Sequence, residues 1–225
     1  MDVLKYFGDK IIVINQKNLG QATARNVGIQ HASGDLIALL DADDIWLPNK
    51  IESQVLLISE SVQLVYCGIH FVNSQANVIS KTTYPRYRNE CRRFFESEPW
   101  SAIVVGGEST ALFSKELYEK VGGFNNKLST SSGWDFFRKC AAQTHFDFTN
   151  EVQVLYRQHD RNMSRDRKLI YLNMVKSGGF CLRDLLRTGR FAATFKFFCR
   201  AMWILLKTLM RDQYALKADK IIVVQ

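Results

Sequence analysis

The sequence is short of the residues that mark several whole classes of protein. It has 3 prolines and 13 glycines in 225 residues, neither with a period, which excludes collagen-like, low-complexity and solenoid architectures. Its five cysteines (67, 91, 140, 181 and 199) are odd in number and form no Cys-x-x-Cys pair. Neither a disulfide framework nor a zinc ribbon is expected, and a reducing, cytoplasmic setting is. The opening Met-Asp-Val-Leu-Lys-Tyr lacks a basic stretch followed by an apolar run, so no secretory signal is read there. What is present is ordinary for a folded chain: 47% hydrophobic and 23% charged residues, enough for one sizeable domain or a domain with an appendage.

The net charge of +8 is unevenly placed. Residues 1–150 carry 15 Lys and Arg against 16 Asp and Glu, whereas residues 151–225 carry 15 against 6. A tail this basic on a neutral body points to an acidic surface met by the tail. It does not point to a nucleic-acid coat, and no nucleic acid is expected as partner.

Short β-branched or apolar runs alternate with small-residue or amphipathic stretches. Ile11–Ile14 and Leu36–Leu40 read as buried strands, as do Val62–Cys67, His70–Val72, Ser109–Phe113 and Val152–Tyr156. Helices are predicted over 21–32, for about ten residues after Pro48 with Ile51, Val55 and Ile58 near one face, and over 115–121 and 134–143. Ser114 caps the third of these and Gly122-Gly123 ends it. Gly28, in mid-helix, costs about 1 kcal/mol against Ala, so close packing is expected to require it. Residues 81–100 read as an irregular surface loop. The class is therefore α/β with mostly parallel pairing.

Residues 169–210 differ, being helical, basic and apolar together. Lys196, Arg200 and Lys207 argue against a bilayer-spanning helix, and they share one face with Arg211. That division suits a helix lying in an anionic membrane interface or docked on its own domain.

The chemistry concentrates in two places. Asp41-Ala42-Asp43-Asp44 follows Leu36–Leu40, where ligands collect in α/β sheets. Two carboxylates at i and i+2 leave a strand toward one side. Their hard oxygens suit Mg²⁺ or Mn²⁺, with ligand phosphates completing the shell; an Asp-rich turn that only solvates itself is the alternative. The second place is Asn18-Leu-Gly-Gln-Ala-Thr-Ala-Arg25-Asn26-Val-Gly28, a turn feeding a helix N-terminus. There Arg25 can pair with the acidic cluster or with a phosphate.

These stretches, with Pro-x-Lys after the acidic turn, Gly122-Gly123-Phe124, Ser132-Gly-Trp134-Asp135-Phe-Phe-Arg138 and Tyr156-Arg-Gln-His159-Asp-Arg-Asn162-Met-Ser164, resemble the inverting family 2 glycosyltransferases of the GT-A fold. The resemblance covers about residues 8–165. It implies a GT-A domain over residues 1–167, followed by a helical, basic segment over 168–225 that can meet a membrane surface. The implied reaction is metal-assisted transfer of a sugar, with inversion, from a nucleotide-sugar donor to a hydroxyl of a glycan or lipid-linked acceptor. This would take place in the cytoplasm, on the inner face of the membrane. Asp41 would lie near the donor or the metal, and Asp43 and His159 at the metal. Asn18, Gly20, Arg25 and Asn26 would support the donor site.

Two departures from the family pattern stand out. Family members carry an acidic residue, the general base, just before Trp-Asp, where this sequence has Ser132 and Gly133. That leaves Asp135 as the candidate base, or as a residue that merely favours the helix start. The family also opens with two strands that this chain begins after, which leaves a non-catalytic sugar-nucleotide- or partner-binding module as the second reading. Phosphatases of the haloacid-dehalogenase type also have Asp-x-Asp after a strand. They follow it with Thr, where this chain has Ile45 and Trp46.

Overall fold

Gly20 starts the helix of residues Gln21–His31 with a backbone, at φ +88° and ψ 164°, in a conformation open to glycine and almost closed to other residues. In the computed structural model, which describes residues 4, 6–80, 82–88, 91–97, 103–160, 162 and 166–218, helix α1 (Gln21–His31) leads into strand β1 (Leu36–Ala38). There follow β2 (Ile45–Trp46), α2 (Lys50–Val55), β3 (Val62–Val72), α3 (Cys91–Ser97), a 3₁₀ turn (Gly107–Thr110) and β4 (Leu112–Ser114). The rest is α4 (Lys115–Val121), α5 (Ser132–Ala141), β5 (His145–Arg157), α6 (Arg167–Arg187) and α7 (Phe191–Ala218).

The five strands form one sheet in the order β1-β4-β3-β5-β2. Its longest ladder, from Val62 opposite His145 to Val72 opposite Arg157, is parallel. The flanking pairs β1–β4, β4–β3 and β5–β2 are short and antiparallel. The core lies between this sheet and α4–α5. There the Phe136 ring stacks on Phe124 at 4.3 Å between centroids and meets Phe113 at 5.0 Å. Ser114 accepts a hydrogen bond from the Leu117 amide at 3.0 Å and Gly122 turns left-handed at φ 75°, so α4 begins and ends as its sequence predicts.

Several expectations are corrected. Ile11–Ile14 is not a strand: all four residues are exposed, and no ladder joins them to a neighbour. A strand needs a partner for its backbone groups, and β1, the sheet edge, pairs only with β4 among the described residues. The two runs over 62–72 are one strand. Within 81–100, Cys91–Ser97 is helical, while residues 81, 89, 90 and 98–100 lie outside the described set. Helix α2 is shorter than predicted and buries Lys50 and Gln54, leaving Ile51 and Val55 partly exposed. Gly28 meets nothing that a Cβ would touch, so close packing does not explain it. It lines an open groove between α1 and β1.

The two C-terminal helices follow the body of the chain. Asp166 caps α6 by accepting from the Leu169 amide at 2.9 Å. Phe197 and Ala201 of α7 pack with Cys181 and Leu185 of α6, and Phe197 also meets Trp134 of α5. Among the described residues no helix is long and apolar enough to cross a membrane.

Candidate active site

The acidic turn beyond β1 is held from three sides. The 3₁₀ turn comes first: Gly106 and Gly107, at φ 69° and 65°, reverse the chain so that Glu108 and Ser109 face Asp41. A side chain at Gly106 would strike Ile69 and Thr110 within 2.6–2.9 Å, so the reversal needs glycine there. The Asp41 amide donates to Ser109 Oγ at 3.1 Å and the Trp46 indole to the Ser109 carbonyl at 2.7 Å. From below, Gln54 Nε2 donates to the Thr110 carbonyl at 2.7 Å.

Arg25 is the second support. It is 9% exposed, and its guanidinium reaches Asp41 Oδ1 at 2.7 Å through one nitrogen and Glu108 Oε1 through the other. A cation shared between two half-buried carboxylates answers one of the sequence's alternatives: in this structure Arg25 pairs with acids and is spoken for. Burial pushes the Glu108 carboxyl above the usual range, against the pull of Arg25.

The end of β5 is the third. The Arg157 amide donates to Asp44 Oδ1 at 3.1 Å, and the Arg157 side chain donates to the Asp43 carbonyl at 2.8 Å. Two residues on, His159 Nε2 stands 3.0 Å from Asp43 Oδ2. Asn162 steadies that bend by donating to the Arg157 carbonyl and accepting from the His159 amide. Arg161, Met163 and Ser164 of the same motif lie outside the described residues.

Asp41, Asp43 and His159 are thus brought to one locus. Its field is negative: the Tyr156 phenol is shifted up first by burial and then by Asp44, Asp41, Asp43 and Glu108. Asp44 itself is pushed up to about 6, chiefly by burial, and its Oδ2 is buried without a partner among the described residues. Among the described residues no three His, Cys, Asp or Glu side chains form a ready-made metal cage. A Mg²⁺ or Mn²⁺ held by one or two carboxylates, with phosphate oxygens and water completing its shell, fits this donor set.

Beside the cluster opens a cavity of about 460 Å³. Its wall includes Asp41, Glu108, Phe71, Trp134, Phe137 and Tyr156. Thr130 Oγ1 and Trp134 Nε1, in the same wall, have no hydrogen-bond partner among the described residues. Aromatic faces with a few polar groups suit a ring that carries hydroxyls.

Other predicted residues are placed differently. Asp135 is 2% exposed and binds Arg138 Nη2 at 2.9 Å, with Lys139 at 3.7 Å. It does not line the cavity. Asn26 ties α1 to the loop after α4, with Nδ2 on the Phe124 carbonyl and Oδ1 accepting from Tyr118 and the Phe124 amide. Asn18 accepts from the Gly20 amide at 3.1 Å and so shapes the turn before α1. Sequence reasoning missed Glu108 and Ser109; the Gly106-Gly107 pair just ahead of them was the available signal.

Comparison with known proteins agrees with this architecture. The family model described as "Glycosyltransferase like family 2" matches residues 5–188. The chain is 27% identical over 177 residues to an uncharacterized glycosyltransferase, MJ1057, of Methanocaldococcus jannaschii, covering 74% of this chain and 59% of that one. Over 96 residues it is 32% identical to Escherichia coli WfgD, named UDP-Glc:alpha-D-GlcNAc-diphosphoundecaprenol beta-1,3-glucosyltransferase, covering 40% of this chain and 38% of WfgD. In fold it is similar to the mannosyltransferase PcManGT of Pyrobaculum calidifontis, solved with GDP-Man and Mn²⁺. The TM-score is 0.54 at 18% identity, over 97% of this chain and 68% of that one. The chain spans only part of the curated relatives it matches, 59% of MJ1057 and 49% of a Rickettsia typhi relative.

Proposed function

The chain belongs to the glycosyltransferase-like family 2, and from that premise we propose that it moves a sugar from a nucleotide-sugar donor to an acceptor hydroxyl, with a divalent cation and with inversion. The observation that carries this reading is the pairing of Asp43 with His159 at 3.0 Å, next to an Asp41 locked by Arg25, at the mouth of an aromatic cavity.

Asp43 and His159, with Asp41, would hold the cation against the donor diphosphate. When bound, the ion neutralises the negative charge that grows on the leaving diphosphate. Arg25 holds Asp41 in orientation, and with Glu108 it seals the floor of the site. Phe71, Trp134 and Tyr156 offer apolar faces to the acceptor and keep water from the reacting carbon. Attack from the cavity side, opposite the diphosphate, inverts the anomeric centre.

The acceptor we propose is a glycan or lipid-linked glycan. WfgD's name carries a diphosphoundecaprenol acceptor, and α7 here exposes apolar and basic faces suited to an anionic membrane surface. The deciding experiment is calorimetric titration of UDP and of GDP with and without Mn²⁺. Binding that needs the ion supports the reading, and heats identical with and without it remove the cation from it.

A further inference from the structure

Transfer to a hydroxyl needs a group that takes the proton, and Asp135 lies outside the cavity, bound to Arg138. We propose that Glu108 is that group: its second carboxylate oxygen receives the acceptor proton as the new glycosidic bond forms. The inference rests on the transferase reading above.

Four observations place it there. Asp41 and Glu108 are the two carboxylates in the cavity wall, and the Arg25 guanidinium lies between them, one nitrogen to each. Arg25 binds Glu108 through Oε1, while Oε2 accepts no hydrogen bond from a described residue and is not among the buried unpaired atoms. Gly133 makes room for the group: a Cβ there would lie 2.5 Å from Oε1, 2.7 Å from Cδ and 2.9 Å from Oε2 of Glu108. The carboxylate therefore rests on the first turn of the ten-residue helix α5, whose N-terminal field acts with Arg25 against the burial that raises its pKa. The residue that leaves position 133 bare and the residue that fills the space belong to one arrangement.

The step balances. The acceptor O–H bond breaks, its proton passes to Glu108 Oε2, and its oxygen pair bonds to the anomeric carbon. The bond from that carbon to the donor diphosphate breaks, and the leaving pair stays on the phosphate oxygen. Glu108 then returns its proton to water.

The test uses the full chain with Mn²⁺, UDP-glucose and GDP-mannose as donors and an alkyl glucoside as acceptor, reading released nucleoside diphosphate. In Glu108→Gln, kcat falls ~100-fold or more, while UDP or GDP binding stays within about threefold. A variant with kcat within about tenfold of the parent overturns the proposal. Loss of nucleoside diphosphate binding by the parent chain overturns the transferase reading instead. A second variant guards against misfolding. Glu108→Ala combined with Gly133→Asp returns a carboxylate to the same space from the α5 side, and turnover recovers relative to Glu108→Ala alone. A folded double variant as inactive as Glu108→Ala overturns the assignment.

Discussion

His159 and Asp43 stand 3.0 Å apart across 116 residues of chain, because β5 carries Arg157 against the acidic turn and ends just where the imidazole can reach it. The Arg157 amide on Asp44 and its side chain on the Asp43 carbonyl fix the approach. The pair is therefore a product of sheet register, from Ile45 opposite Leu155 outward, and not of a flexible loop falling into place.

From that pairing, Asp43→Asn is expected to abolish Mn²⁺-dependent binding of a nucleoside diphosphate. His159→Gln is expected to weaken it less, since it leaves both carboxylates of the turn, Asp41 and Asp43, in place. Calorimetry of UDP and GDP at fixed Mn²⁺ reads both. Equal affinities for the parent and Asp43→Asn would take the cation away from this turn.

Arg25 separates Asp41 from Glu108, and removing it leaves two carboxylates facing each other in a half-buried site. Arg25→Met is expected to cost about 3 kcal/mol in urea unfolding. Adding Glu108→Gln to it should restore part of that loss by removing the stranded charge. If the two costs simply add, the residues are not coupled.

Much of this was legible beforehand, and the reasons are local. Ser114 and Gly122 announce α4 because caps act within a turn of themselves, and Asp41 and Asp43 stand out because they end an apolar run. Glu108 was marked in the sequence only by the Gly106-Gly107 pair ahead of it, because its place depends on Arg25, 83 residues away, and on the missing side chain of Gly133. Ile11–Ile14 failed as a strand for a related reason. Its composition says strand, yet a strand exists only where a neighbour offers backbone partners. The burial of Lys50 inverted the apparent face of α2, since a six-residue helix has too few positions for its periodicity to decide orientation.

Asn26, read from sequence as a donor-site residue, spends its side chain on the Phe124 backbone, Asn126 and Tyr118. Asn26→Leu is expected to cost about 2–3 kcal/mol, as several part-buried hydrogen bonds lose a partner at once. Nucleoside diphosphate affinity of the folded fraction should stay unchanged. A thermal melt identical to the parent's would return Asn26 to the list of candidate ligand contacts.

Helix α7 divides into three faces. Phe197 and Ala201 dock on α6, Phe191, Phe195, Phe198, Met202 and Leu206 lie exposed together, and Lys196, Arg200 and Lys207 form a basic strip. Arg200 and Lys207 both approach the Trp203 ring, at 5.0 and 4.9 Å. Sedimentation with phosphatidylglycerol vesicles at low salt is expected to bring the chain down, and phosphatidylcholine vesicles are not. Phe195→Glu with Met202→Glu should leave it in solution, and parent chain that stays in solution with both lipids would make the exposed stripe no membrane face.

Lys50 supplies a test that depends on pH. Its side chain is completely buried, with Nζ 2.7 Å from Gln54 Oε1 and 4.4 Å from the centre of the Trp46 ring. Burial lowers its pKa from 10.5 to about 8. Below pH 8 the ammonium is charged in both the folded and the unfolded chain, and the folded state bears the full cost of keeping it from water, about 3 kcal/mol. As pH rises from 8 toward 10.5 the folded chain sheds the proton first, so the unfolded state binds more protons and stability climbs. Cys67 works the other way, because burial raises its thiol to about 11 and holds a proton that the unfolded thiol loses near 9. Comparison of Lys50→Met with the parent cancels most of that opposing effect. The variant loses its bond to Gln54 at every pH, whereas its relief from the buried charge is greatest at pH 7 and fades as pH approaches 10.5. The difference between the two urea midpoints should therefore shift in the parent's favour as pH rises. A difference that stays constant from pH 7 to 10 would mean that the lysine keeps its charge in contact with water, and that α2 owes its orientation to something other than Lys50 and Gln54.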